Sequence, residues 1–149
     1  MTEYSLITKQ MEALAEASTD HISVMANVSA LLFHAMADVN WAGFYLVKEE
    51  ALLLGPFQGN VACVRIEKGK GVCGTAWEKD QVMLVPDVHA FPGHIACDSA
   101  SRSEIVVPVH REDSVFAVLD IDSPICGRFS EEDKAGLVAL VESLEQIIA

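Results

Sequence analysis

Residues 103–122 read SEIVVPVHREDSVFAVLDID. Two runs rich in branched apolar residues flank Arg111-Glu112-Asp113. Such an arrangement predicts a β-hairpin, with strands at SEIVVPVH and SVFAVLDID. Pro108 has no N–H to donate, so its strand is expected at an edge or bulged there. Asp120 and Asp122 are two apart and therefore share a face, with Phe116 and Val118 on the same parity. Antiparallel pairing brings Glu104, near the start of the first strand, towards both acids. Unpaired acids are costly to bury, which leaves two readings. The acids form a solvated strand end, or they form a pocket in which neighbouring charges raise at least one carboxyl pKa. In the second case a general acid stands beside a base.

Working outwards, the pattern before the hairpin adds further strands at WAGFYLV, ALLLGPF, GNVACVRI and QVMLV, with a turn at KEEA. Residues 72–79 predict a short helix. Residues 3–17 predict a helix, and Ser18-Thr19-Asp20 offer N-cap chemistry for a second. Met25, Val28, Leu32, Ala35 and Val39 form its apolar stripe. Ser130 and Asp133 make a capping-box start for a closing helix striped by Leu137, Leu140, Val141, Leu144 and Ile148. These elements predict an α+β fold, with about six antiparallel strands flanked by helices. The 149 residues show no linker or repeat, so one domain spanning 1–149 is expected.

The composition narrows the function classes. Ten Lys+Arg against 22 Asp+Glu give a formal charge of -12, which repels phosphate backbones and argues against nucleic acid as a partner. The mostly apolar region from Ile22 to Val39 is broken by Ser23, Asn27, Ser29, His34 and Asp38, so no membrane span is expected. MTEYSLITKQ lacks a basic stretch followed by an apolar run, so no secretory signal is expected and a cytoplasmic location follows. Four cysteines in a reducing compartment point to catalysis, metal binding or packing rather than structural disulfides.

Cys63 falls on a predicted strand, Cys73 at the start of a short helix, and Cys97 in the turn-rich segment 86–102. Packing accounts for any one of them, since free cysteine is commonly buried. A loop thiol such as Cys97 can instead be exposed and activated as a nucleophile. With His89 and His94 the three cysteines supply zinc-ligand types, but no short C-x-x-C or H-x-x-x-H unit is present, and no metal is expected. Cys126 has no assigned role. Trp41 and Tyr45, four apart on one strand face, either pack in the core or form an aromatic box for a cationic ligand.

Several motifs in order resemble one known family. NWAGFYL, LGPFQG, VACVRI, GKGVCGTA, DVHAFPGHIACDS, SEIVVPV, VLDIDSP and RFSEED are similar to the free methionine-(R)-sulfoxide reductases, enzymes built on a GAF domain. The resemblance runs from about Asn40 to Asp133. It implies a GAF-like fold and reduction of free L-methionine (R)-sulfoxide through a cysteine sulfenic acid and an intramolecular disulfide. Cys97 corresponds to the attacking cysteine, Cys63 to the usual resolving cysteine, and Cys73 to a third redox cysteine that can also pair with the nucleophile. Glu104, Asp120 and Asp122 correspond to the carboxylates that hold substrate, with Glu104 or Asp122 assisting at the sulfoxide, and Trp41 and Tyr45 to the aromatic wall. No bound cofactor is implied. The expected partners are the free sulfoxide, a thioredoxin-like dithiol that recycles the disulfide, and a second copy in a homodimer. A GAF domain that binds a ligand without catalysis, and a reductase acting on protein-bound methionine sulfoxide, are the alternatives.

Overall fold

The structure, a computed structural model, describes residues 1–94 and 99–149. Cys97 lies outside the described residues. The chain runs through helices α1 (Tyr4–Leu14) and α2 (His21–Ala35), strands β1 (Trp41–Lys48), β2 (Ala51–Gly59) and β3 (Arg65–Glu67), and helix α3 (Gly71–Lys79). Strand β4 (Met83–Val85), a 3-10 turn at Val88–Ala90, strands β5 (Ser103–Arg111) and β6 (Ser114–Ser123) and helix α4 (Glu131–Ile148) follow. One six-stranded sheet has the order β3-β2-β1-β6-β5-β4, and every pairing is antiparallel. The expected α+β class and strand number hold. Among the described residues no helix is long and apolar enough to cross a membrane.

The sheet is covered on both faces. Ala42, Phe44 and Leu46 of β1 and Leu119 and Ile121 of β6 join one core with α1, α2 and α4. The alternate residues Trp41, Tyr45, Val106 and Val118 join a second core with Val72, Ala76 and Trp77 of α3. This period-2 sorting is what the pleat dictates. Helix α2 starts where expected, with the Asp20 side chain accepting from the Ser23 N–H. Helix α4 carries the full Ser130–Asp133 capping box. Asp133 also accepts from the Tyr4 hydroxyl at 2.6 Å and pairs with Arg128 at 3.1 Å, tying α1 to the start of α4.

Both β1–β2 and β5–β6 turn through two residues at positive φ, Glu49 and Glu50 in one and Glu112 and Asp113 in the other. That is the hairpin geometry whose twist matches the strands.

Four expectations change. Cys63 is not on a strand: β3 begins only at Arg65. The carbonyls of the 60–63 segment accept from side chains instead, Asn60 from Trp41 Nε1 at 3.1 Å and Cys63 from the Tyr45 hydroxyl at 3.0 Å. Phe116 does not share the face of Val118. The β5–β6 register shifts at Val109/His110, and the extra β6 residue reverses the parity beyond Ala117. Phe116 therefore packs on the helical side, edge-on to His21 at 5.3 Å. Strand β5 lies inside the sheet, yet β4 pairs only with residues 104–106, so Pro108 meets no partner strand on that side. The bulge falls one residue beyond it. Finally, Val39 falls beyond the end of α2, which closes at Ala35.

Candidate active site

Hairpin β5–β6 places the acids. Glu104 pairs directly with Asp122, and Asp120 lies opposite Val106. On the other side of β6, Trp41 pairs with Asp122 and Gly43 with Asp120. The three side chains project into the face covered by α3. They are 8%, 5% and 9% exposed respectively for Glu104, Asp120 and Asp122, so the solvated strand end is excluded.

Helix α3 closes this region from above. Gly74 lets it sit down tightly, because a Cβ there would stand 2.5 Å from the Glu67 carbonyl. Cys73, on the same turn, is buried and holds a free thiol, with Sγ 3.9 Å from Glu104 Oε2. A small cavity of about 30 Å³ lies between α3 and the sheet. It has room for about two water molecules. Its walls include Tyr45, Cys73, Glu104, Asp120 and Asp122, all foreseen from the sequence.

Acidic groups dominate this cavity, whose lining also includes Lys70 and His94. Among the described residues no ion pair reaches the three acids. Burial, then the charges of Asp120 and Asp122, push the Glu104 carboxyl well above the usual carboxylate range. Burial and the Asp120 charge do the same for Asp122. Burial raises Asp120 as well, but hydrogen bonds from Glu104, Asp122 and Cys73 oppose it. The cluster therefore resists full ionisation, with Glu104 and Asp122 held most firmly towards their neutral forms. Cys73 is raised well above the ordinary thiol range by burial and by the three acids, so it stands as a neutral thiol.

Tyr45 and Trp41 are 1% and 2% exposed and stack at 5.9 Å with an interplanar angle of 21°. Phe57 continues the stack behind Trp41 at 5.2 Å. Gly43 makes room for it, since a Cβ there would sit 2.3 Å from that of Phe57. Tyr45 lines the cavity, whereas Trp41 stands one ring behind and is not among the lining residues. Burial and the nearby Asp120 push the Tyr45 phenol up. It remains a hydrogen-bond donor, and its partner is the carbonyl of Cys63. One aromatic side chain thus touches both the cavity and the backbone of a cysteine outside it. Cys63 is itself disulfide-bonded, while Cys73 and Cys126 are free.

Sequence reasoning missed Ser101, Lys70, Val72 and Ile66, which also line the cavity, and weighed His94, another lining residue, only as a zinc ligand. Ser101 hydrogen-bonds to Asp122 and receives Asn40 Nδ2 at 3.3 Å. His94 is lowered by burial and by the neighbouring His89, against the pull of Asp120. Ser101, Lys70 and His94 come from connections, which carry no periodic signal. Of the five residues weighed as zinc ligands, Cys97 lies outside the described residues, and Cys63, Cys73, His89 and His94 form no ligand group with one another among the described residues. Cys73 instead approaches Glu104 and Asp120, whose ligand atoms lie within 4.8 Å of one another.

The GAF domain profile matches residues 10–148. The free methionine-R-sulfoxide reductase of Escherichia coli is 51% identical over 98% of this chain and 88% of that protein. The chain belongs to the free methionine-R-sulfoxide reductases of the GAF-domain family. The Staphylococcus aureus fRMsr, solved in complex with substrate, superposes with a TM-score of 0.94 at 48% identity, covering all of this chain and 97% of that one. The Neisseria meningitidis free methionine-R-sulfoxide reductase, also solved with its substrate, gives 0.93 at 44% identity, over 97% of this chain and 87% of that one.

A stability consequence follows from the buried acids. Glu104 ionises at ordinary pH in the unfolded chain but is raised in the fold. Between those two values the native state binds more protons, so stability falls as pH rises. Glu104→Gln removes that titration. Its melting temperature is expected to gain on the wild type between pH 5 and pH 8, by roughly 3 °C for each 1 kcal/mol relieved. Calorimetry at the two pH values checks this; a gap independent of pH contradicts it.

Proposed function

We propose that this protein reduces free L-methionine (R)-sulfoxide to methionine, using Cys97 as nucleophile and Cys63 as resolving cysteine. The observation that carries this reading is the buried carboxyl cluster, raised in pKa, that lines a small cavity beside Cys73 and the Cys63 segment. The substrates of the two structural relatives support the choice of ligand.

The ammonium group of a free amino acid is a cation suited to this acid-lined cavity. Asp120, the acid least held to its neutral form, is its natural partner. Glu104 or Asp122 then donates a proton to the sulfoxide oxygen and makes the sulfur electrophilic. The Cys97 thiolate attacks that sulfur. The S–O bond breaks as the protonated oxygen leaves as water; a water molecule then attacks the Cys97 sulfur and breaks its new bond to the substrate sulfur, so methionine leaves and Cys97 becomes a sulfenic acid. The Cys63 thiol condenses with it, expelling water and forming a disulfide. The two electrons given to the sulfoxide therefore come from two thiols. An external thioredoxin-like dithiol restores them by exchange. Cys73, neutral and buried, is the poorer attacking thiol, since exchange requires the thiolate. That Cys63 is the cysteine already in a disulfide agrees with this assignment.

A cavity of 30 Å³ is smaller than an amino acid, so the wall opens for substrate. Tyr45 then has a second role as a positioning residue for Cys63, through its hydroxyl.

Reduced protein given the separated R and S sulfoxides of free L-methionine with dithiothreitol is expected to form methionine from the R form alone. Cys97→Ser abolishes it. Methionine from neither form, with tight ligand binding, moves the assignment to a non-catalytic sensor.

Tyr45→Phe separates the two half-reactions. Without reductant, the first methionine per enzyme forms at near wild-type rate. Closure of the disulfide slows about fivefold, the loss of one hydrogen bond of about 1 kcal/mol. Rapid quench with thiol counting and dimedone trapping reads both; unchanged closure contradicts the positioning role.

A further inference from the structure

We propose that Cys73, Glu104 and Asp120 form a binding site for a borderline-soft divalent cation, Zn²⁺ above all, and that the bound ion blocks the cavity. The three ligand atoms lie within 4.8 Å of one another, all on buried side chains, and the Cys73–Glu104 pair is at 3.9 Å. Ligands on a tetrahedral zinc stand about 3.5 Å apart, a difference that small side-chain rotations remove. A second observation points to a missing cation. Asp120 Oδ1 and Asp122 Oδ1 are buried and reached by no hydrogen-bond donor among the described residues, and their side chains belong to residues 5% and 9% exposed. Asp122 lines the same cavity and brings a further oxygen to it.

The donor set decides the class of ion. A thiolate beside two carboxylates favours zinc over magnesium or calcium, which take oxygen ligands only. Binding displaces the Cys73 thiol proton and the carboxyl protons into solvent, so affinity rises with pH. No electron moves. The ion occupies the place assigned above to the substrate ammonium. The blocking arm rests on that functional reading, whereas the metal site itself does not.

The test uses the full chain with Cys63→Ser, Cys97→Ser and Cys126→Ser, which leaves Cys73 as its one thiol, and Co²⁺ as the probe. Titration is expected to produce a thiolate-to-cobalt charge-transfer band that saturates at about one equivalent and is bleached by Zn²⁺. Further substitution Cys73→Ser removes the band. Glu104→Gln, which keeps the thiol, weakens Co²⁺ at least about tenfold, as loss of a contact at a metal site does. Absence of the band overturns the site, as does a band indifferent to Glu104→Gln. In the wild type, methionine sulfoxide is expected to lower the affinity for Co²⁺; independent binding of the two overturns the blocking. If metal-free protein reduces no sulfoxide, the functional reading is lost while the cobalt band stands.

Discussion

Three carboxyls share one desolvated place where, among the described residues, no ion pair reaches them, and the proposed chemistry depends on that constraint. In water each would ionise independently. Between α3 and the sheet they cannot, because the charged forms lose their hydration and repel one another. Glu104 and Asp122 are pushed towards their neutral forms as a result. In the proposed reaction a protonated carboxyl meets the sulfoxide oxygen and a residual negative charge meets the ammonium.

The rest of the architecture serves this placement. A strand at the middle of the sheet carries Asp120 and Asp122, so helices and neighbouring strands exclude water from every side. The α1–α2–α4 layer packs the opposite face and leaves the site face to one short helix. Because α3 sits close over Gly74, Cys73 joins the acids, and its thiol becomes one more group held neutral. The aromatic stack gives up a strand pairing for residues 60–63 and holds that segment by two indole and phenol hydrogen bonds. Val61 of the segment and the neighbouring Val64 are left exposed, at 87% and 70%.

Much of this is legible in the sequence because it rests on local rules. Alternation along VLDID and antiparallel pairing across one hairpin suffice to bring Glu104, Asp120 and Asp122 together. The capping box at Ser130 and the stripes of α2 and α4 are likewise local. What stays hidden depends on irregular backbone. A single bulge at Val109/His110 moves Phe116 to the other face, and nothing in SVFAVLDID marks it. VACVRI has the composition of a strand, yet only Arg65 and Ile66 of it join β3, and the Cys63 carbonyl accepts from the Tyr45 hydroxyl. Trp41 and Tyr45 share a face as expected, but the stack leaves only Tyr45 at the cavity. Ser101, Lys70 and His94 enter from connections whose course no periodicity describes. The approach of Cys73 to Glu104 and Asp120 needs the tertiary packing of α3.

The central claim is that Glu104 and Asp122 carry protons at neutral pH in the ligand-free protein. Infrared spectroscopy in heavy water near pH 7 tests it most directly, through the carbonyl stretch of a protonated carboxyl. The account predicts that band in the wild type, reduced in Glu104→Gln and in Asp122→Asn. A wild-type spectrum with every carboxyl ionised, indistinguishable in this region from the two variants, would contradict it.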